Sequence, residues 1–155
     1  MVSEGPPASI VAKRISLAPA VCLQPGGTAG VLGLAYKPDT DVVEESQGLA
    51  LAQALLAKGV RVVAYDPAAI ENARSQLKDR IAFAGSAAEC AGQADVLAIT
   101  TAWPEFRKLR PSDLKYGSRV TVVDCWRLLP RSDFEAIAEY AAPGLAVESA
   151  LYCAT

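Results

Sequence analysis

The chain contains no histidine in 155 residues. That absence removes Ser-His-Asp and Cys-His triads, a histidine general base and any zinc site that needs imidazole ligands. A surplus of positive charge is also missing. Fifteen Lys and Arg stand against 17 Asp and Glu, for a net charge of -2, which leaves no global basic field to hold a nucleic-acid backbone. Cys22, Cys90, Cys125 and Cys153 are scattered without a C-x-x-C pair, so local spacing builds neither a zinc ribbon nor a thioredoxin-type motif. They read as free, mostly buried thiols of a reducing compartment. No apolar run approaches the roughly 18 residues of a membrane-spanning helix. The stretch Val11–Cys22 has two cations ahead of apolar residues, yet it is short and broken by Pro19. The expected location is the cytoplasm, with no membrane and no nucleic-acid partner.

What is present is a good supply of core material: 52% of residues are hydrophobic and the mean hydropathy is +0.22, enough for one domain with a packed interior. Residues 1–28 differ from the rest. Gly5-Pro6-Pro7, Pro19 and Pro25-Gly26-Gly27 punctuate a stretch without sustained apolar period, read as a tail or linker with one helical turn near Val11–Leu17. Residues 29–155 form the domain.

There, short β-branched runs alternate with helical patterns. Val31–Leu34, Val60–Tyr65, Val96–Ile99 and Val120–Val123 are apolar on both faces, as parallel strands covered by helices require. Weaker strands are expected at Ile81–Ala84 and near Leu145–Leu151. Ser46 is placed to cap a helix over Gln47–Lys58, with Gly59 at its C-terminal end. Ile70, Ala73 and Leu77 make a second apolar stripe. Ser86–Glu89 and Ser132–Glu135 have capping-box spacing, and Pro104 and Pro111 suit first helical positions. The alternation predicts a doubly wound, mostly parallel α/β sheet of Rossmann type in three αβα layers.

In such sheets ligands bind beyond the carboxyl ends of the strands, where helix N-termini also point. Those ends carry Ala35–Asp41, Asp66-Pro67, Thr100–Phe106 and Asp124–Arg127. Tyr36, Lys37, Trp103, Trp126 and Arg127 thereby fall on one edge, a set suited to an anionic ligand with a flat ring, such as a nucleotide diphosphate. Each also has a plainer role open to it: Lys37 as a solvated loop lysine, Arg127 as a partner for Asp124, the tryptophans as packing. Asp66 stands where dinucleotide folds keep a ribose-binding acid. The first turn, Gly30-Val-Leu-Gly33, is not G-x-G-x-x-G, however, so Asp66 is read as a turn or cap residue and no NAD is expected on this domain. The acids Asp39, Asp41, Glu44 and Glu45 are read as a solvated loop ahead of a helix rather than a metal site.

Val31-Leu-Gly-Leu-Ala-Tyr-Lys-Pro-Asp-Thr-Asp41, Glu45-Ser46, Val62-Val-Ala-Tyr-Asp-Pro67, Ala94–Arg107 and Val122–Leu129, in that order, closely resemble the C-terminal, UDP-binding domain of the UDP-glucose/GDP-mannose dehydrogenase family over roughly residues 29–150. The resemblance implies a role in NAD-dependent oxidation of the C6 alcohol of a nucleotide sugar to a carboxylate, through a cysteine thiol adduct. It implies that Tyr36 and Lys37 line the sugar-nucleotide site, that the loop containing Trp103 borders it, and that Arg127 supplies a nearby cation. The partner ligand would be a UDP-sugar or related nucleotide sugar. NAD would be bound by other segments of the complete enzyme, since neither its glycine fingerprint nor the catalytic-cysteine segment is found in these 155 residues. None of the four cysteines has the nucleophile's context, so no catalytic residue is assigned and the isolated chain is expected to be inactive. This chain departs from the family pattern at Val42 and Glu44, where an aspartate and an arginine are usual, and in the insertion of Cys125-Trp126 where a single glycine usually separates Asp124 from the arginine. A second reading is a non-catalytic subunit docking onto a separate chain with the NAD domain, or pairing as a homodimer. A third, an independent NAD-binding oxidoreductase, is disfavoured by the missing fingerprint.

Overall fold

A computed structural model describes residues 27–142. Six strands, β1 (Thr28–Leu32), β2 (Arg61–Tyr65), β3 (Ala82–Phe83), β4 (Val96–Ile99), β5 (Val120–Asp124) and β6 (Ala138–Ala141), form one sheet. Every neighbouring pair is parallel, in the order β3-β2-β1-β4-β5-β6. The helices are α1 (Gln47–Ala57), α2 (Ile70–Leu77), α3 (Ala87–Gln93) and α4 (Arg131–Phe134), with short 3₁₀ turns at Lys78–Arg80, Pro104–Lys108 and Pro111–Asp113. This is the doubly wound α/β architecture expected from the alternation. The strand order reverses between β1 and β4, which makes the gap between their carboxyl ends the topological switch point.

The central strands explain their own sequences. All of β4 and all of β5 are buried, because a parallel sheet covered on both faces leaves no side of the strand for polar residues. Val31, Leu32, Leu97, Ile99 and Val122 are completely enclosed. Helix α1 begins where its cap lies: the Ser46 hydroxyl accepts from Leu49 N at 3.1 Å. It ends at Gly59, whose φ of +76° suits a residue without Cβ. Ser86 caps α3 in the same way, accepting from Glu89 N at 3.0 Å. Glu89 reaches back to Gly85 N at 2.7 Å rather than to the cap residue itself. Strand β3 is only two residues long, and the ring of Phe83 lies 4.7 Å beneath the Arg74 guanidinium.

Three expectations need correction. The first strand runs over residues 28–32, not 31–34, because Gly33 turns at φ +108° and Leu34 N is drawn to the Asp66 carboxylate at 2.8 Å. The Ser132–Glu135 spacing is not used as a cap: α4 starts after Pro130 and has no side-chain cap bond. A sixth strand follows it at Ala138–Ala141, where none was expected. The weak strand at 145–151, the helical turn at Val11–Leu17, Cys22 and Cys153 lie outside the described residues.

Candidate functional site at the carboxyl edge of the sheet

The carboxyl edge is organised around the Asp66 carboxylate. Asp66 follows β2 and is 2% exposed. Its Oδ1 accepts from Ala68 N and Ala69 N, both at 2.8 Å, which turns the chain into α2. Its Oδ2 accepts from Leu34 N at 2.8 Å, Ala35 N at 2.9 Å and the Trp103 indole Nε1 at 3.1 Å. One buried charge thus receives five donors from three segments, the condition under which a buried carboxylate is stable. It holds the loop after β1 and the loop after β4 together, so nothing of it is left for a ribose.

Two threonines complete the lock. Thr100 Oγ1 donates to Gly33 O at 2.7 Å and Thr101 Oγ1 to Ala35 O at 2.9 Å. The loop from Gly33 to Ser46 is further fixed by Tyr36 N donating to Val42 O at 2.7 Å, by the Asn72 side chain donating to Asp41 O at 2.8 Å, and by buried Val43. Asp39 and Glu45 take φ of 62° and 58° within it. On this fixed loop Tyr36 is 51% exposed and Lys37 is exposed.

Helix α1 meets the end of β1 so closely that a Cβ on Gly48 would lie 1.8 Å from Gly33 O and 2.8 Å from Thr100 Oγ1. The Pro104–Lys108 turn seats Phe106, fully buried, edge-on to Tyr65 at the end of β2, with centroids 6.3 Å apart. Tyr65 Oη donates to Glu105 at 3.1 Å. Burial first, and the Glu105 charge second, raise the Tyr65 phenol above its ordinary pKa. The turn after β1 packs against α1 and carries no G-x-G-x-x-G run.

A second carboxylate hub stands at the end of β5. Asp124 is fully enclosed; its Oδ1 accepts from Leu128 N at 3.0 Å, and its Oδ2 from Leu129 N at 2.9 Å and the Tyr140 hydroxyl at 2.8 Å. Burial and then the Asp124 bond raise the Tyr140 pKa. This turn sets Trp126 half-buried, its indole donating to Thr100 O at 3.0 Å. Arg127 follows, exposed and at φ 53°.

The residues singled out in the sequence therefore share one edge, in unlike settings. Tyr36 and Lys37 are presented outward. Trp103 is 8% exposed with its N–H committed to Asp66, so its ring packs beneath the loop. Arg127 projects from the next strand end but one, linked to β4 through Trp126. Val42 and Glu44 are both exposed on the first loop. The positioning residues Thr100 and Asp124 were not singled out for that role, and only their place at strand ends could have marked them. Cys90 and Cys125 are buried and form no disulfide among the described residues. Burial pushes the Cys90 thiol up to about 12, far from the thiolate a nucleophile needs.

A doubly wound parallel sheet with an exposed aromatic–lysine pair on the loop after its first strand defines a Rossmann-like α/β domain. Comparison with known proteins takes this further. Residues 30–131 match the model of the UDP-glucose/GDP-mannose dehydrogenase family, UDP binding domain, and the chain belongs to that family. It is 40% identical over 115 residues to the UDP-glucose 6-dehydrogenase AglM of Haloferax volcanii, covering 72% of this chain and 26% of that protein. It is 40% identical over 108 residues to the UDP-glucose 6-dehydrogenase of Rhizobium meliloti, covering 70% and 24%. Among solved structures, a UDP-glucose dehydrogenase from Pyrobaculum islandicum superimposes with a TM-score of 0.71 at 32% identity, over 86% of this chain and 29% of that one. An NDP-N-acetyl-D-galactosaminuronic acid dehydrogenase from Methanosarcina mazei shares the fold, with a TM-score of 0.74 at 13% identity over 96% of this chain and 30% of that one. The chain spans about a quarter of the length of the curated relatives it matches.

Proposed function

We propose that this chain is the sugar-nucleotide-binding part of an NAD-dependent nucleotide-sugar 6-dehydrogenase, which oxidises a C6 alcohol to a carboxylate. The observation that carries the reading is the Tyr36–Lys37 pair, exposed on a loop that Asp66, Thr101 and Asn72 hold fixed, inside the stretch matched to the family's UDP-binding domain. The Lys37 ammonium neutralises the diphosphate, and the Tyr36 ring offers a face to the base or sugar. Arg127 supplies a second cation from the β5 end. Trp103 acts beneath the loop as a positioning residue, through Asp66. Because the loop is already ordered, little conformational entropy is lost on binding.

NAD, the hydride acceptor when bound, belongs in this reading to segments of the complete enzyme other than this domain, as does the thiol that forms the adduct. The partner is then a chain or segment carrying the NAD domain, and the compartment is the cytoplasm. Among the described residues no helix is long and apolar enough to cross a membrane.

Titration calorimetry and amide NMR of the 155-residue chain with millimolar UDP, UDP-glucose and GDP-mannose test the proposal. Binding is expected with shifts concentrated in residues 35–42, 100–105 and 125–128. Lys37→Ala should weaken it about tenfold or more, the scale of one charge-assisted contact to phosphate. The absence of both heat and shifts at millimolar ligand would refute it.

A further inference from the structure

The opposite, amino-terminal edge of the sheet holds an open groove of about 750 Å³ whose lining includes Leu56, Val60, Arg61, Asp79, Arg80 and Ile81. Its charges are unevenly matched. Lys115, also on the rim, is paired to Asp95 at 2.7 Å, and Asp95 in turn accepts from Thr28 N. Among the described residues, neither Arg61 nor Arg80 forms an ion pair. Arg61 Nη2 donates to the Thr28 hydroxyl at 3.2 Å. Arg80 donates through Nε to Leu77 O at 3.1 Å and through Nη2 to Gln76 O at 3.3 Å, closing the end of α2. Both guanidiniums are therefore held by neutral acceptors that leave most of their five donors unspent.

Their relative placement sharpens the point. Arg61 starts β2, and Arg80 ends the 3₁₀ turn two residues before β3, so both stand at the amino end of neighbouring segments and line the same groove. Asp79 lines the same groove without an ion pair to either arginine. Beside the arginines, Leu56 and Val60 are half-buried and offer apolar surface.

We propose that this groove is an anion-binding site, separate from the carboxyl-edge loop, for a small phosphate ester: Arg61 and Arg80 take the phosphate oxygens, and Leu56, Val60 and Ile81 take the apolar body. Planar guanidiniums with spare donors suit the three oxygens of a phosphate monoester, and two of them outweigh the single Asp79 carboxylate. The site does not depend on the sugar-nucleotide reading, because it lies at the other end of the strands.

Amide NMR titration of the full chain with inorganic phosphate and with phenyl phosphate tests it. Phenyl phosphate is expected to shift Thr28, Arg61, Ile81 and Gln93, and to bind about fivefold or more tightly than inorganic phosphate through the apolar floor. Arg61→Gln, an exposed side chain with one bond to a hydroxyl, should retain the fold and weaken phenyl phosphate about tenfold. The shifts of residues 35–42 on adding UDP should be the same in that variant as in the parent. The proposal is overturned if phenyl phosphate leaves these amides unmoved, if the two anions bind equally, or if Arg61→Gln binds as the parent does.

Discussion

Replacing Asp66 by asparagine keeps the shape of the side chain and removes one acceptor oxygen and the charge. In Asp66→Asn the amide oxygen would best face Leu34 N, Ala35 N and the Trp103 indole, the three donors now on Oδ2. The new NH₂ then faces Ala68 N and Ala69 N. Ala68 is exposed and water can serve it, but Ala69 is completely buried, and its N–H would meet another donor. Leaving that group unsatisfied costs about 1–3 kcal/mol. The remaining three bonds fall from charge-assisted to neutral strength, about 1 kcal/mol each, discounted because they share one oxygen. The expected loss is about 3–5 kcal/mol out of the roughly 5–15 kcal/mol available to a domain. In urea, with a slope of about 1–3 kcal/mol/M, the midpoint should fall by about 2 M at unchanged slope, followed by tryptophan fluorescence. A midpoint within about 0.3 M of the parent would refute the assignment of Asp66 as the hub that joins the two loops.

Gly48→Ala should lower stability by about 3 kcal/mol or more, since its Cβ would lie 1.8 Å from a backbone oxygen that cannot swing away. Gly92→Ala, in exposed helix with nothing nearer than 3.6 Å, should instead gain up to about 1 kcal/mol; thermal melts of the two variants check the contrast. Tyr140→Phe removes a bond to buried Asp124 and should cost about 1–2 kcal/mol. It should also change the alkaline limb of stability. The folded state holds the Tyr140 proton more tightly than the unfolded chain does. That contribution is complete below about pH 10 and is lost as pH rises beyond it. Tyr65 shifts in the same direction, so urea midpoints measured at about pH 8 and above about pH 10 should show a shallower, not absent, alkaline decline in the variant.

The central strands were legible because Val60–Tyr65, Val96–Ile99 and Val120–Val123 combine β-branched residues with burial on both faces, and the caps at Ser46 and Ser86 because their spacing carries its own mechanism. Strand β6 was not. Its sequence, Ala138-Glu-Tyr-Ala141, has little strand propensity, and its place is set by pairing with β5 and by the Tyr140–Asp124 bond, neither of which is local in sequence. At the site, the edge that would carry Tyr36, Lys37, Trp103 and Arg127 followed from strand ends alone. The reading of Asp66 as a turn residue agrees with its bonds to Ala68 and Ala69. That the same carboxylate also gathers Leu34, Ala35 and Trp103, from 31 to 37 residues away, depends on strand order, which hydrophobic pattern does not encode.

The brevity of β3 bears on how the protein behaves at high concentration. An outer strand with a long row of unpaired amides invites a second molecule to extend the sheet, the first step of many aggregation routes. Here the row is two residues long, flanked by the 3₁₀ turn on one side and Gly85 on the other, and the Phe83 ring beside it is shielded by a cation. A mutation that lengthened this strand, or removed Arg74, would expose a template for ordered self-association without touching the loops at the carboxyl edge.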